Sequence, residues 1–367
     1  MSTNTPPENG QPMRATTRPC YGLAAANRGE CLFPWAFERR ALRGDDIAVK
    51  IQFCGVCHSD LHGIRGSGPF PLVPGHEIVG EVMAIGASVT NFKIGDPVVL
   101  GTIVDSCRQC EPCKSHLEQY CRKYPTLTYG GTDRVDGSIT RGGYSNEYVV
   151  DTRFAYHLPA GLKPASVAPL LCAGVTTYSP LRHWGVGPGM TVGVVALGGL
   201  GHMAVKFAHA LGAHVVLFTT SEEKMADALA LGADEAVLST DAAQMAAQAW
   251  RCDFILDTVS ERHLLDPYLR ALKLNGTLCC LGIPASMDFT PVVLTLGRRR
   301  LASSGVAGTA ETQEMLDFCS QHGIAADVEV IQAADINEGF ERLERGDVRY
   351  RLVIDMTTLE VPAGVAA

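Results

Sequence analysis

Four cysteines within fifteen residues constrain this chain more than any other feature of its sequence. They follow the spacing C-x2-C-x2-C-x7-C, and short turns at such a spacing bring successive sulfurs within reach of one tetrahedral Zn²⁺. The surrounding segment, 105–123, is polar, contains a proline and lacks a steady apolar period, so it depends on an internal cross-link. We therefore predict a closed structural zinc site, formed by Cys107, Cys110, Cys113 and Cys121.

Two other arrangements of these cysteines are a pair of disulfides and an iron–sulfur site. No signal peptide precedes the cluster, and the other nine cysteines stand mostly in apolar runs, which argues against disulfides. An iron–sulfur site uses the same four thiolates, so it is harder to exclude. The spacing favours zinc.

A second, open metal site is predicted from three residues that lie far apart in the chain. Cys57 follows a strand-like run, His76 lies in Pro74-Gly75-His76-Glu77, and Cys172 opens an apolar helical stretch. Two thiolates and one imidazole leave a fourth position for water or substrate, which is the ligand count of a catalytic zinc. Taken singly, Cys172 fits a small buried hydrophobe better than a ligand, and His76 could equally be a satisfied core histidine.

A strand, a glycine-rich turn and a helix follow further along the chain. Residues 190–197 are continuously apolar, as in a strand buried on both faces, and a second strand is predicted at 214–220. Backbone amides of the turn and the helix N-terminus would cradle a pyrophosphate. The turn residues are Gly198, Gly199, Leu200 and Gly201. The usual G-x-G-x-x-G fingerprint has glycine where this chain has Ala196, which makes the motif weak when taken alone.

With these elements in place, the sequence resembles the zinc-dependent medium-chain alcohol dehydrogenases. Within them it is most similar to the cinnamyl-alcohol-dehydrogenase-like, NADP-dependent aldehyde reductases. The resemblance covers about residues 25–355. It rests on Gly75-His76-Glu77-x-x-Gly80 with Gly86 and Val89, on the four-cysteine segment, on the dinucleotide turn and on 305–318 (GVAGTAETQEMLDF).

The resemblance implies roles for the residues around the open site. Ser59 would touch the substrate, and His62 would hand the proton to solvent through the cofactor ribose. Asp60 would orient His76, since a metal-bound imidazole usually donates its other N–H to a carboxylate. Glu77 would approach the metal during ligand exchange. Without the resemblance, a turn hydrogen bond for Ser59, a surface position for His62 and a buried ion pair for Glu77 stay open.

Cofactor preference depends on the end of the second strand. NAD-dependent enzymes place an acid there, whereas this chain has hydroxyls followed by a lysine, which favours the 2′-phosphate of NADP(H). The residues concerned are Thr219, Thr220, Ser221 and Lys224. Glu222 and Glu223 argue the other way, unless Thr220 and Glu223 form a capping box. Arg351 matches the family arginine that contacts the cofactor phosphates, with a solvated surface arginine as the alternative.

The predicted fold class is α/β, with two domains. Strands alternate with alanine-rich helices from 173 to 310, which predicts a Rossmann domain with a doubly wound parallel sheet. The resemblance makes 25–172 together with 311–367 a GroES-like β-barrel catalytic domain that carries both zinc sites. Residues 1–24, which include four prolines and no apolar core, are expected to form a flexible N-terminal extension.

Composition limits the partners. A net charge of −8, with Arg298–Arg300 as the tightest basic cluster, gives no face for nucleic acid. No apolar run approaches the roughly 18 residues that span a bilayer, so no membrane partner is expected. Thirteen cysteines without a secretory signal predict a reducing cytoplasm. The expected substrate is a primary alcohol or aldehyde, aromatic or medium-chain aliphatic, and the expected assembly is a homodimer.

Three functional classes fit the sequence to different degrees. An NADP-dependent zinc alcohol dehydrogenase or aldehyde reductase accounts for every motif. A zinc-free reductase of quinones or enones accounts for the fold but leaves both cysteine clusters without a role. A non-catalytic descendant would typically have lost a ligand or Ser59, and none is lost. The three classes predict two zinc ions per chain, none, and one.

Overall fold

The computed structural model describes residues 17–360. The strands are β1 (Arg18–Ala24), β2 (Phe33–Arg39), β3 (Asp46–Gly55), β4 (Ile78–Ile85), β5 (Pro97–Leu100), β6 (Ile103–Asp105), β7 (Thr126–Leu127), β8 (Glu147–Asp151), β9 (Ala155–His157), β10 (Thr191–Val195), β11 (His214–Thr219), β12 (Glu235–Leu238), β13 (Cys252–Asp257), β14 (Leu272–Cys280), β15 (Arg300–Ser303), β16 (Val328–Gln332) and β17 (Arg351–Asp355). The helices are α1 (His58–Arg65), α2 (Glu111–Lys114), α3 (Pro164–Val167), α4 (Ala173–His183), α5 (Gly201–Ala210), α6 (Glu223–Ala230), α7 (Ala242–Ala247), α8 (Asp266–Ala271), α9 (Val292–Thr295), α10 (Thr309–His322) and α11 (Ile336–Glu344).

Six parallel strands form the sheet of the Rossmann domain, in the order β12-β11-β10-β13-β14-β15. Counted from β10, this is the 3-2-1-4-5-6 order of a dinucleotide-binding fold. Strands β11 and β12 are added on one side of β10, and β13 to β15 on the other side. Ligands of such sheets bind at the carboxyl ends of the strands where the strand order switches sides, which here is between β10 and β13. The glycine-rich turn after β10 therefore stands where a dinucleotide is expected.

A second, mainly antiparallel sheet of seven strands forms the GroES-like domain. Its central strand is β3, which is ten residues long and pairs with β4, β8 and β17. The last strands of the chain, β16 and β17, join this sheet through β3. The segment before β17 is thereby brought from the end of the chain to the loops that follow β3.

The largest cluster of buried apolar side chains crosses from one domain to the other. It includes Val79 and Leu171 next to the GroES-like sheet, Phe207 on α5, Met315 on α10 and Val353 on β17. Close-packed interiors of this kind resist local displacement. The residues where the two domains meet are therefore held in a defined arrangement.

The N-terminal segment differs from its prediction. Arg18–Ala24 form β1 and pair with β2 along their whole length, so the expected flexible extension is wrong for these residues. Cys20 and Ala24 are fully buried, and burial of that apolar face stabilises the strand despite the prolines nearby. Residues 1–16 lie outside the described part. Between 17 and 360, no helix is both long and apolar enough to cross a membrane.

Candidate active site

Cys57, His76 and Cys172 meet from three separate elements. Cys57 is the N-cap of α1, His76 lies between α1 and β4, and Cys172 directly precedes α4. Their ligand atoms, with the Glu77 carboxylate, lie within 4.8 Å of one another, and the sulfurs of Cys57 and Cys172 are 4.0 Å apart. Two sulfurs on one tetrahedral Zn²⁺, with bonds of about 2.3 Å, lie about 3.8 Å apart. The donor set and its spacing fit zinc.

The carboxylate of Asp60 holds the residues of this cluster in place through hydrogen bonds. It is fully buried and accepts hydrogen bonds from the backbone N–H groups of Cys57 at 2.9 Å and Gly75 at 3.0 Å. It also accepts from the hydroxyl of Tyr144 at 3.0 Å and lies 3.2 Å from Nδ1 of His76. The imidazole is thereby fixed with Nε2 free to bind a metal.

The pKa values of the Cys57 and Cys172 thiols are shifted in opposite directions. The Cys172 thiol donates to the sulfur of Cys57 and, with His76 and against the effect of burial, holds the pKa of Cys57 well below its usual range. The same contact, together with burial, raises the pKa of Cys172 well above its usual range. The two sulfurs therefore differ in how readily each one loses its proton. A divalent cation would stabilise the second thiolate as well.

Glu77 and Arg351 form a buried ion pair beside the ligands. One carboxylate oxygen of Glu77 lies 3.9 Å from Nε2 of His76, and burial raises the pKa of Glu77 to about 7 while Arg351 acts in the opposite direction. On its other side Arg351 lies against the dinucleotide turn, where a Cβ added to Gly199 would be 3.1 Å from its Nη1. The alternative of a solvated surface arginine is wrong, since Arg351 is 6% exposed.

Ser59 lies at the metal-binding cluster. Its hydroxyl is 3.4 Å from the sulfur of Cys57, and its main-chain carbonyl accepts a hydrogen bond of 2.9 Å from the hydroxyl of Tyr129. Burial, with the nearby Asp60 carboxylate, raises the pKa of Tyr129 well above its usual range, so this phenol stays a donor. His62 is exposed, one helical turn further along α1.

The dinucleotide turn is closely packed on one side and open on the other. Ala196 has φ of +70°, the left-handed conformation in which a side chain costs about 1 kcal/mol relative to glycine. A Cβ on Gly201 would meet the carbonyl oxygen of Ala196 at 2.1 Å, whereas one on Gly198 would meet nothing within 4 Å. Gly201 thus permits the turn, and Gly198 leaves the space that a cofactor phosphate would fill. Leu200 is the N-cap of α5.

The loop after β11 carries the residues predicted to bind the adenosine phosphate. Thr219 is buried, and its hydroxyl accepts from the backbone N–H of Ser221 at 3.2 Å. Its hydroxyl therefore shapes the loop, while Thr220 and Lys224 are exposed and Ser221 is half-buried.

The predicted capping box of Thr220 and Glu223 is wrong. Helix α6 begins at Glu223 with Glu222 as its N-cap, and no side chain caps it. A cap by Thr220 requires the helix to begin at Ser221, so α6 begins too far along the chain for Thr220 to occupy the capping position. The hydroxyl of Thr220 is thereby left outside the helix cap.

The four-cysteine segment forms a separate cluster. The four sulfurs lie within 4.8 Å of one another, and the backbone N–H groups of Cys110 and Cys107 donate to the sulfurs of Cys107 and Cys121, each at 3.4 Å. Backbone amides of Gln109 and Cys110 lower the pKa of Cys107 to about 6. Such amide donors stabilise thiolates, as a closed metal site requires.

Sequence reasoning missed three residues that structure places around these sites: Tyr129, Tyr144 and His202. Each stands directly beside glycines, in Tyr129-Gly130-Gly131, Gly142-Gly143-Tyr144 and Gly201-His202. Glycine permits the backbone to approach a neighbouring group closely. That pattern marks the positions but does not name the partner groups, which come from distant parts of the chain.

Comparison with known proteins agrees with this architecture. Residues 43–160 match the alcohol dehydrogenase GroES-like domain, and residues 199–321 match the zinc-binding dehydrogenase domain. Aldehyde reductase YahK of Escherichia coli (strain K12) is 52% identical over 92% of this chain and 98% of its own length.

Two solved structures are similar over nearly the whole chain. Cinnamyl alcohol dehydrogenase SbCAD4 of Sorghum bicolor has a TM-score of 0.91 at 44% identity, covering 94% of this chain and 99% of that one. The Helicobacter pylori cinnamyl alcohol dehydrogenase complexed with NADP(H) has a TM-score of 0.88 at 38% identity, covering 94% and 100%. The chain therefore belongs to the zinc-dependent medium-chain alcohol dehydrogenase family, in its cinnamyl-alcohol-dehydrogenase-like branch.

Proposed function

We propose that this protein transfers a hydride between NADP(H) and a primary alcohol or aldehyde, aromatic or medium-chain aliphatic, and works mainly as an aldehyde reductase. The observation that carries the proposal is the position of Arg351, which pairs with Glu77 beside the metal-binding cluster and lies against Gly199 of the dinucleotide turn. Hydride transfer requires the carbonyl carbon and the nicotinamide in contact. Here the side chain of Arg351 contacts both the metal-binding cluster, through Glu77, and the dinucleotide turn, at Gly199.

Two zinc ions per chain fit the two clusters of donors. The closed one would be held by Cys107, Cys110, Cys113 and Cys121 and would support folding. At the open site Cys57, His76 and Cys172 would hold zinc with one position left for substrate. When bound, that zinc supplies Lewis-acid polarisation of the carbonyl oxygen, and NADPH supplies the hydride.

The chain's own residues manage the proton and the geometry. Ser59, with its hydroxyl 3.4 Å from the sulfur of Cys57, would donate a proton to the substrate oxygen during reduction. His62, exposed one turn along the same helix, would return a proton to Ser59 from solvent through the cofactor ribose. Asp60 holds the imidazole of His76 in its orientation. Glu77 would approach the metal when ligands exchange.

NADP(H) is proposed over NAD(H) because strand β11 ends without an acidic residue. Thr220, Ser221 and Lys224 offer hydroxyls and a positive charge for the 2′-phosphate, and Thr219 holds the loop in shape. Gly198, Gly199, Leu200 and Gly201 would receive the pyrophosphate together with Arg351. The similar Helicobacter pylori enzyme was solved with NADP(H).

We also propose the domain boundaries expected from the sequence, 25–172 with 311–367 for the GroES-like catalytic domain and 173–310 for the Rossmann domain. Strand β1 (Arg18–Ala24) is added to the catalytic domain, because it pairs with β2 and bridges to Ser145. Strand membership supports them, since β16 and β17 pair into the sheet of β3, and β10 to β15 form a sheet of their own. The cleft between these units would hold the substrate.

A homodimer in the cytoplasm completes the proposal. Strand β15 is at the edge of its sheet, and exposed apolar side chains stand near it in sequence on Ile283, Val292 and Leu296; a second copy would cover them. All thirteen cysteines are unpaired, which suits a reducing compartment. Light scattering on a sizing column tests the dimer.

Metal analysis together with a substrate panel tests the function. We expect two zinc ions per chain, and reduction of benzaldehyde, cinnamaldehyde and hexanal with kcat/KM for NADPH well above that for NADH. A zinc-free reductase of quinones or enones would contain no zinc, and a non-catalytic relative would retain one zinc ion and turn over nothing. Either result would overturn the proposal.

A further inference from the structure

His202 is a fully buried histidine at the start of α5, directly behind the dinucleotide turn. Its backbone N–H donates to the carbonyl oxygen of Gly198 at 3.0 Å, and its Nδ1 lies 3.2 Å from the same oxygen. Burial, with Lys206 and Arg351 nearby, lowers the pKa of His202 to about 3, so the ring is neutral. A neutral ring carries one N–H, and the contact with a carbonyl assigns it to Nδ1.

Two donors on one carbonyl fix a peptide plane. The C=O of Gly198 and the N–H of Gly199 belong to the same planar, trans peptide unit and point in opposite directions. Holding the oxygen against His202 therefore directs the N–H of Gly199 away from α5. Backbone amides of this turn are the groups that would bind the cofactor pyrophosphate.

The turn has little else to hold this peptide in place. A Cβ on Gly198 would contact nothing within 4 Å, and glycine has the widest backbone freedom of any residue. The preceding Ala196 is in a left-handed conformation at φ +70°. The bonds from His202 thus restrain a peptide between two glycines, where side chains impose no restraint.

The ring of His202 is in turn held from the other domain. It stacks on Tyr350 with ring centroids 5.0 Å apart and an interplanar angle of 12°. The hydroxyl of Tyr350 donates to Asp227 on α6 at 3.0 Å, and Arg349 pairs with the same carboxylate at 2.7 Å. Tyr350 directly precedes β17, which belongs to the GroES-like sheet.

We propose that His202 is a positioning residue for the cofactor: clamped by Tyr350 and Asp227, it orients the Gly198–Gly199 peptide and thereby sets the affinity for the cofactor pyrophosphate. The inference rests on the proposed use of NADP(H). It makes cofactor affinity depend on the packing between the two domains, because the ring that orients the turn is held by a residue of the opposite domain.

Substitution by phenylalanine separates this role from simple packing. His202→Phe keeps an aromatic ring on Tyr350 but removes the Nδ1 donor. NADPH binding, measured by fluorescence titration, should weaken about fivefold, as expected for the loss of one hydrogen bond. The KM for NADPH should rise by a similar factor, while the KM for the aldehyde stays within twofold. A purely structural histidine would lower the melting temperature and leave the dissociation constant for NADPH unchanged, and that result would overturn the proposal.

A second variant tests the clamp from the other domain. Tyr350→Phe keeps the stack and removes only the bond to Asp227, and it should weaken NADPH binding about two- to threefold. Tyr178→Phe is the matched control, since its hydroxyl also donates to one carboxylate, that of Glu314 at 2.9 Å, away from the turn. It should leave NADPH affinity unchanged.

Hydrogen exchange of the cofactor-free protein gives a third readout. The backbone amide at position 202, which donates to the Gly198 carbonyl oxygen, should exchange faster in both His202→Phe and Tyr350→Phe than in the wild type. If His202→Phe does not fold, wild-type NADPH affinity and wild-type exchange in Tyr350→Phe would overturn the proposal. A wild-type protein that fails to bind NADPH would instead refute the proposed cofactor, so the two failures are distinguishable.

Discussion

Arg351 donates to Glu77 in a buried ion pair that joins the metal-binding cluster to the dinucleotide turn, across 274 residues of sequence. Neither partner is fully satisfied, since Oε2 of Glu77 and Nε of Arg351 have no hydrogen-bond partner between residues 17 and 360. Buried charges cost several kcal/mol each in desolvation, which mutual attraction seldom exceeds. The pair is better explained by its position between two ligand sites than by a gain in stability.

Removing one partner of this pair should be far more damaging than removing both. We expect Arg351→Met to lower the free energy of unfolding by about 3–5 kcal/mol, because the Glu77 carboxylate is left buried and uncompensated. The double variant Glu77→Gln/Arg351→Met should recover most of that loss. Urea denaturation of the two variants and the wild type measures the difference, and equal losses in single and double variants would contradict this account.

Cys172→Ser should abolish aldehyde reduction while leaving the fold and NADPH binding nearly intact. The chain has two clusters of metal-binding side chains, and only the open one contains Cys172. The zinc content measured by atomic emission should therefore fall from two ions to one per chain. Near-normal turnover in the purified variant would refute the assignment of the catalytic ligands.

Cys110→Ser is the matched control, with the same change of sulfur to oxygen in the closed cluster. A closed metal site contributes folding energy, so this variant should lose thermal stability and solubility before it loses turnover. Its folded fraction should retain aldehyde reduction and one zinc ion at the open site. Loss of turnover in Cys110→Ser together with loss of stability in Cys172→Ser would show that the catalytic and structural roles are assigned to the wrong clusters.

The sequence predicted best what depends on local spacing. The four-cysteine cluster and the βαβ unit around the turn were visible as short motifs, because metal and phosphate chemistry fixes residue type at fixed offsets. β1 was missed because Pro19 and polar neighbours obscured a short buried face, on Cys20 and Ala24. Pairing with β2, a tertiary contact, decides its structure.

Contacts between distant segments could not be read from the sequence. Nothing near Arg351 indicates Glu77 as its partner, and nothing near His202 indicates Tyr350. Such pairs form only when β17 inserts beside β3 and carries residues 349–351 to the domain junction. The capping box at Thr220 failed because helix α6 begins at Glu223, too far along the chain for Thr220 to be its N-cap.

His62→Ala should depress alcohol oxidation much more at pH 6 than at pH 9. At high pH hydroxide can take the proton from the Ser59 end of the relay, so the histidine is dispensable there. General acid–base help of this kind is worth on the order of 10²-fold. The measurement is kcat across pH 6–9 for wild type and variant, and an equal loss at every pH would show that His62 supports structure instead.

Glu235 should make the stability of the Rossmann domain depend on pH. The side chain of Arg251 binds both of its oxygens, at 2.6 and 2.9 Å, and lowers the pKa of Glu235 to about 2, with His214 adding to the effect against that of burial. A depressed carboxyl pKa stabilises the fold above about pH 4.5, and this stabilisation is lost as pH falls toward 2.

Glu235→Gln tests that dependence. Because the carboxylate is partly exposed, at 34%, solvent screens the pair and we expect a loss of only about 1 kcal/mol at pH 7. The difference from wild type in urea unfolding should shrink between pH 5 and pH 3. Glu341→Gln, which breaks the exposed pair with Arg345 at 3.7 Å, is the control and should change stability by at most about 0.5 kcal/mol. A difference that grows toward low pH would contradict the assignment.

Three substitutions in the dinucleotide turn should separate its folding from its binding. Ala196→Gly relieves a left-handed residue at φ +70°, so it should raise stability by about 1 kcal/mol and change NADPH affinity by less than about tenfold, or roughly 1.4 kcal/mol. Gly201→Ala should distort the turn, since its Cβ would meet the Ala196 carbonyl at 2.1 Å.

Gly198→Val tests where the cofactor pyrophosphate binds. A Cβ at this position would meet nothing in the protein within 4 Å, so the melting temperature should hold while NADPH binding, followed by fluorescence titration, is lost because the side chain fills the phosphate space. Tight NADPH binding by Gly198→Val would show that the pyrophosphate lies elsewhere.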